Sequence, residues 1–249
     1  MPLLFQTASI ATRPWEPNPP IQALTTPAPV VHDLPMFHDR TQAGAALAAA
    51  IPDLRRKSNV TVIGLARGGV EVAAETARLL DLPLDVLCVR KVSTPGHPEL
   101  AMGAVAPLGE RYTNRRVAAR LTPAQVDRAY DIATAQAREM DERLRSGMSM
   151  MLVGRMAVII DDGAATGASI RAALAAVRNA GARQTVIALP VLPRLAVERL
   201  ERECDRLVTL RAPQRFHAVS QFYKHFDEVS EARVLALLSH AKPAFEMSV

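Results

Sequence analysis

The sequence predicts an α/β fold: a doubly wound, mainly parallel sheet of about five strands with helices on both faces, extended by a loop-rich insertion and hood. Three observations predict it. Short apolar runs ended by turns alternate with amphipathic stretches along most of the chain. The hydrophobic share is 49% while aromatic residues make up only 4%, so Ala, Val, Leu and Ile must build the core, as in helix-covered parallel sheets. The chain is 249 residues long, enough to bury one large core of that kind.

Residues 1–36 carry Pro14, Pro17, Pro19, Pro20, Pro27 and Pro29 with little periodicity, the composition of an extended arm. The folded domain is expected over 37–249. Asp39 can cap a helix whose apolar face carries Ala43, Leu47 and Ile51. Strands are expected at 60–65, 84–89, 156–160, 185–189 and 207–210, each an apolar run bounded by turn residues. Helices at 70–80, 169–180 and 195–203 lie between them, so the crossovers are right-handed. A closing helix over 230–238 belongs to a C-terminal hood, 205–249.

The alternation breaks once, over 92–155. Pro95, Gly96, Pro98, Gly103 and Gly109 punctuate a loop-rich stretch with short strands expected at 103–106 and 111–113. Thr122, with Pro123 at the first helical position, then opens a long charged helix reaching about Leu144. Long excursions of this kind serve as lids or binding elements.

Cys88 and Cys204 share no metal-ligand spacing and are too few for a disulfide framework, so a reducing, cytoplasmic setting is expected. No apolar run reaches the ~18 residues of a membrane span, and residues 1–9 lack the basic start of a secretory signal. The net charge of +5 and pI near 9.7 are compatible with nucleic acid but do not indicate it, because basic residues are interleaved with acids. A small phosphorylated substrate would draw on the same charge.

The chemistry concentrates where the apolar run Val158-Ile159-Ile160 ends in Asp161-Asp162, followed by Gly163, Ala164, Ala165, Thr166, Gly167, Ala168 and Ser169 and then a helix. In open α/β sheets ligands bind beyond the carboxyl ends of strands, where these residues fall. Small residues let the backbone approach a ligand closely. Free amides at the helix start, with the Thr166 and Ser169 hydroxyls, suit a phosphate monoester. The two carboxylates can accept hydrogen bonds from sugar hydroxyls or hold hydrated Mg²⁺. An ordinary strand, turn and capped helix would need neither the adjacent acids nor this loop.

The segment VIIDDGAATGAS resembles the 5-phosphoribosyl-1-pyrophosphate (PRPP) motif of type I phosphoribosyltransferases. The resemblance implies that Asp161 and Asp162 contact the ribose hydroxyls and, through water, Mg²⁺, while Gly163 to Ser169 hold the 5-phosphate. Ala66, Arg67, Gly68 and Gly69, a tight turn after the first core strand, look like the family's pyrophosphate loop; alone they would read as a glycine-rich turn with a surface arginine. Arg90 and Lys91 resemble basic residues that reach pyrophosphate. Residues 93–113 take the place of the flexible catalytic loop, with His97, Glu99 and Arg111 as candidates within it.

One departure narrows the acceptor. Some purine-salvage members carry an acid where this chain has Ala165, so the motif is closer to the adenine or orotate type. Within 211–226, Phe216, Phe222 and Tyr223 gather with His217, Gln221 and His225 in an otherwise aromatic-poor chain; these rings either stack on a planar acceptor or pack the closing helix. The activity implied is transfer of the phosphoribosyl group from Mg²⁺-bound PRPP to a nitrogen nucleophile with release of pyrophosphate, carried by Asp161, Asp162 and Arg67. A dimer is the family's common state. The alternatives are a non-catalytic PRPP-sensing regulator of the same fold that binds nucleic acid, and an aspartate-based phosphohydrolase, for which no completing lysine and acid set is evident. The chain has no Walker loop, dinucleotide fingerprint, nucleophile elbow or His-Glu-x-x-His.

Overall fold

Every residue of Val60–Leu65 and of Met156–Ile160 is buried, as strands covered on both faces must be. A computed structural model describes residues 36–145 and 150–243, so the proline-rich arm expected at the N-terminus lies outside the described residues apart from Met36. In chain order the elements are α1 (Arg40–Ala50), β1 (Val60–Leu65), α2 (Gly68–Leu80), β2 (Leu84–Leu87), β3 (Arg90–Thr94), β4 (His97–Val105), β5 (Arg111–Thr113), α3 (Arg115–Ala118), α4 (Pro123–Arg145), β6 (Met156–Ile160), α5 (Ala168–Asn179), β7 (Gln184–Val191), α6 (Arg194–Leu200), β8 (Arg206–Arg211) and α7 (Glu231–Ser239).

Five strands form a parallel sheet in the order β2-β1-β6-β7-β8, which is the fold class the sequence predicts. From β1 the chain winds outward to β2; from β6 it winds the other way to β7 and β8. The order therefore reverses between β1 and β6, and the crevice beyond their carboxyl ends is where such a sheet takes a ligand. Side chains alternate across the sheet with period two. Val60, Val62, Val158 and Ile160 face a core shared with Ala43 and Leu47 of α1 and Val72 and Ala77 of α2. Ile63, Leu65, Ala157 and Ile159 face Ile170 and Leu174 of α5 and Ala196 and Leu200 of α6.

Local chemistry fixes the helix starts. The Asp39 carboxylate accepts from the Gln42 amide at 2.8 Å and caps α1, and the Ser230 hydroxyl does the same for α7 through Arg233 at 3.1 Å. A Cβ on Gly44 would lie 2.5 Å from the Val72 carbonyl oxygen, so α1 packs against the backbone of α2.

The insertion departs from the expected loop. β3, β4 and β5 form an antiparallel three-stranded sheet. The strand expected at 84–89 stops at Leu87, and Arg90 and Lys91 open β3 instead of closing a strand of the main sheet. β4 begins at His97, well before the expected 103–106, because its outer half is exposed and carries no apolar alternation to mark it. Val92, Met102 and Val105 pack on Tyr130 and Ala133 of α4. The Tyr130 hydroxyl donates to the Tyr112 carbonyl at 2.8 Å, tying α4 to β5. Among the described residues no helix is long and apolar enough to cross a membrane.

Candidate active site

Asp161 and Asp162 leave the end of β6 as chemical neighbours but not as equals. The Arg40 Nε donates to Asp162 Oδ2 at 2.9 Å. Arg40 is itself 7% exposed, donates from Nη1 to the Asp227 carbonyl at 2.8 Å, and lies 3.9 Å from the Phe226 ring centroid. Asp161 enters no such pair among the described residues. It lines a cleft of about 410 Å³ with Leu65, Ala66, Val89, Arg90, Lys91, Ser93, Gln136 and Ser169. Burial pushes the Asp161 carboxyl well above its ordinary range and the Asp162 charge adds to this, while Lys91 and Arg40 oppose it. Burial also raises Asp162, with Arg40 as the main opposing influence.

The turn after β1 meets this acid pair directly. The Ala66–Arg67 peptide is cis. A Cβ on Gly68 would stand 2.2 Å from Asp162 Oδ2, and one on Gly69 would stand 2.8 Å from the Asp161 Cα. No larger residue fits at either place, so these glycines let two loops more than ninety positions apart share one crevice. The Arg67 guanidinium is bound by the Glu228 carboxylate.

The loop from Gly163 to Ser169 is anchored at both ends. The Ala164 amide donates to the Val191 carbonyl at 3.1 Å. Gly167 has φ +74° and precedes α5, a left-handed conformation that glycine adopts without cost. Arg171 Nη1 donates to the Thr166 carbonyl at 3.0 Å, its Nε is held by Glu203 at 2.8 Å, and Tyr112 of β5 covers it at 4.9 Å. Ala165 and Thr166 form the exposed tip. The first-turn amides of α5 have no intrahelical acceptor, which leaves the tip a natural seat for an anion.

The remaining candidates scatter. Tyr223 is 3% exposed; its ring is packed against Phe37 and Phe226 at 5.5 and 5.0 Å, and its hydroxyl donates to the Asp162 carbonyl at 2.6 Å. It props the acid pair from behind. Phe216 and Phe222 are half-buried and stacked, with centroids 5.9 Å apart. His97 and Glu99 are exposed on β4, and Arg111 pairs with Asp127 at 3.7 Å. Sequence reasoning missed Arg40 and Gln136. Arg40 did leave a signal: it shares a helix face with Ala43 and Leu47, and a cation on an apolar face needs a buried partner. Gln136 left none.

A family model, phosphoribosyl transferase domain, matches residues 36–223. This chain belongs to the phosphoribosyl transferase family. Provisionally named phosphoribosyl transferases of two strains of Mycobacterium tuberculosis are each 41% identical to it over 213 residues, covering 84% of this chain and 48% of each relative. The chain thus spans about half the length of the curated relatives it matches. The crystal structure of TT1426 from Thermus thermophilus, 41% identical, aligns with a TM-score of 0.68 over 82% of this phosphoribosyl transferase chain and 97% of that one. The observed sheet is that of a type I phosphoribosyltransferase.

Proposed function

We propose that the chain transfers a phosphoribosyl group from PRPP to a nitrogen nucleophile and releases pyrophosphate. The carrying observation is the single cleft at the β1–β6 switch point, which collects Ala66, Arg90, Lys91, Asp161 and Ser169 from four separate segments. Arg90, Lys91 and the amides of Arg67, Gly68 and Gly69, in the turn that Ala66 opens, face the leaving pyrophosphate; Asp161 accepts from the ribose hydroxyls; the loop of Gly163, Ala164, Ala165, Thr166, Gly167, Ala168 and Ser169 seats the 5-phosphate. Bond breaking at the anomeric carbon leaves positive charge on the sugar and negative charge on pyrophosphate. The carboxylate and the cations stand on the sides where those charges develop. Arg67 reaches pyrophosphate by exchanging Glu228 for it.

Asp162, neutralised by Arg40, serves by holding the acid pair in place. Asp161, facing the cleft without an ion pair, fits Mg²⁺, which favours hard oxygen ligands and keeps several from water and substrate phosphates. Such an ion, when bound, supplies charge neutralisation on the pyrophosphate. For the acceptor, Phe216 and Phe222 offer ring faces, whereas the Tyr223 ring is covered.

Calorimetric titration with Mg²⁺ and PRPP tests the donor half. The wild type should bind and the Asp161→Asn, Asp162→Asn double variant should not; equal binding by both would overturn the reading. Pyrophosphate release across a panel of nitrogen acceptors tests turnover. Donor binding with no release by any of them would point to a donor-sensing protein of the same fold.

A further inference from the structure

The end of β8 carries a cation that the donor site does not use. Arg211 stands in register with Val191 of β7, whose carbonyl anchors Ala164, so it lies one strand away from the start of the phosphate loop. It is 8% exposed, with its guanidinium 4.5 Å from the Phe37 centroid and 5.9 Å from that of Phe222. Its Nε and Nη2 are both buried and meet no hydrogen-bond partner among the described residues. The other buried arginines are matched, Arg40 with Asp162 and Arg145 with Asp85, as is the half-buried Arg171 with Glu203.

Folded proteins pair almost all buried polar groups, and an orphan marks a missing water, ion or ligand. The two orphaned donors are adjacent on one edge of the guanidinium, the side-on fork that matches the two oxygens of a carboxylate. The half-buried Phe216–Phe222 stack, inclined at 22°, lies on the same side of the sheet core and supplies an apolar ring face. We propose that Arg211 is the carboxylate anchor of the acceptor site: the acceptor is a planar ring bearing a carboxylate, docked on the Arg211 fork with its ring against Phe216 and Phe222. This rests on the transferase reading for the identity of the ligand as acceptor, and on Arg211 alone for its charge.

Paired probes test it: orotate against uracil and anthranilate against aniline, titrated calorimetrically into the full chain. The wild type should bind the carboxylate member of each pair about tenfold to a hundredfold more tightly, the range for a charge-assisted contact. Arg211→Met should lose that preference, and Arg211→Lys, which keeps the charge but not the fork, should lose most of it. PRPP binding should be unchanged in both. The melting temperature of Arg211→Met should hold or rise, because an apolar chain replaces an unpaired buried cation. A wild type that binds both members of each pair equally overturns the anchor and leaves the transferase reading standing. A wild type that fails to bind PRPP sinks that reading, while the probe pairs still decide Arg211.

Discussion

Two corners of one sheet edge handle buried arginine in opposite ways. At the β6 corner Arg40 is saturated by Asp162, a backbone carbonyl and an aromatic ring; at the β8 corner Arg211 meets, among the described residues, only rings. The first arrangement ties the acids after β6 to α1. The second leaves electrostatic capacity unspent. The difference teaches that burial of a charge alone does not say whether it is structural; its partners do.

The strongest way to break the contrast is to make Arg40 resemble Arg211 by removing its counter-charge, or the reverse. Arg40→Met leaves Asp162 buried without its cation and should cost about 3–5 kcal/mol of stability in denaturant unfolding. Adding Asp162→Asn should restore much of it, so that the two changes are strongly non-additive. Next in size, Gly68→Ala should cost about 1–3 kcal/mol by overpacking against the Asp162 carboxylate and should abolish PRPP binding by calorimetry.

A smaller effect concerns Asp161. Its carboxyl is raised in the folded state above the ordinary 3.8, so the folded protein binds that proton more tightly than the unfolded chain does. Stability referred to this group is therefore greatest below the ordinary value and falls as pH rises through the raised one. Asp161→Asn should flatten that slope and gain stability relative to the wild type at neutral pH in thermal melts. Melting curves for the two that run parallel across pH would refute the assignment. The smallest expected change is Glu228→Gln: it should release Arg67 and tighten PRPP by a few-fold, the scale of an exposed ion pair, with little change in melting temperature.

The central strands and the acid motif were legible because their signals are local. Val60–Leu65 and Met156–Ile160 are apolar without interruption, and the two acids, the small residues and the helix start occupy consecutive positions. What was not legible depends on contacts across the chain. Arg40 and Asp162 are 122 positions apart, Gln136 reaches the cleft from the middle of a charged helix, and Arg67 is claimed by Glu228 near the opposite terminus. Tyr223 was legible as an aromatic but not as a support for Asp162, because burial decides between those roles. β4 was half legible, as far as its buried half extends.

The loop from Gly163 to Ser169 also bears on kinetics. With Ala164 tied to β7, Gly167 left-handed and the Thr166 carbonyl held by Arg171, the protein's own contacts hold the shape of the tip. Docking there pays little ordering entropy. The 5-phosphate should therefore be captured at a rate set by diffusion and charge steering, falling with added salt, and any slow step in loading should belong to the exchange of Glu228 for pyrophosphate at Arg67.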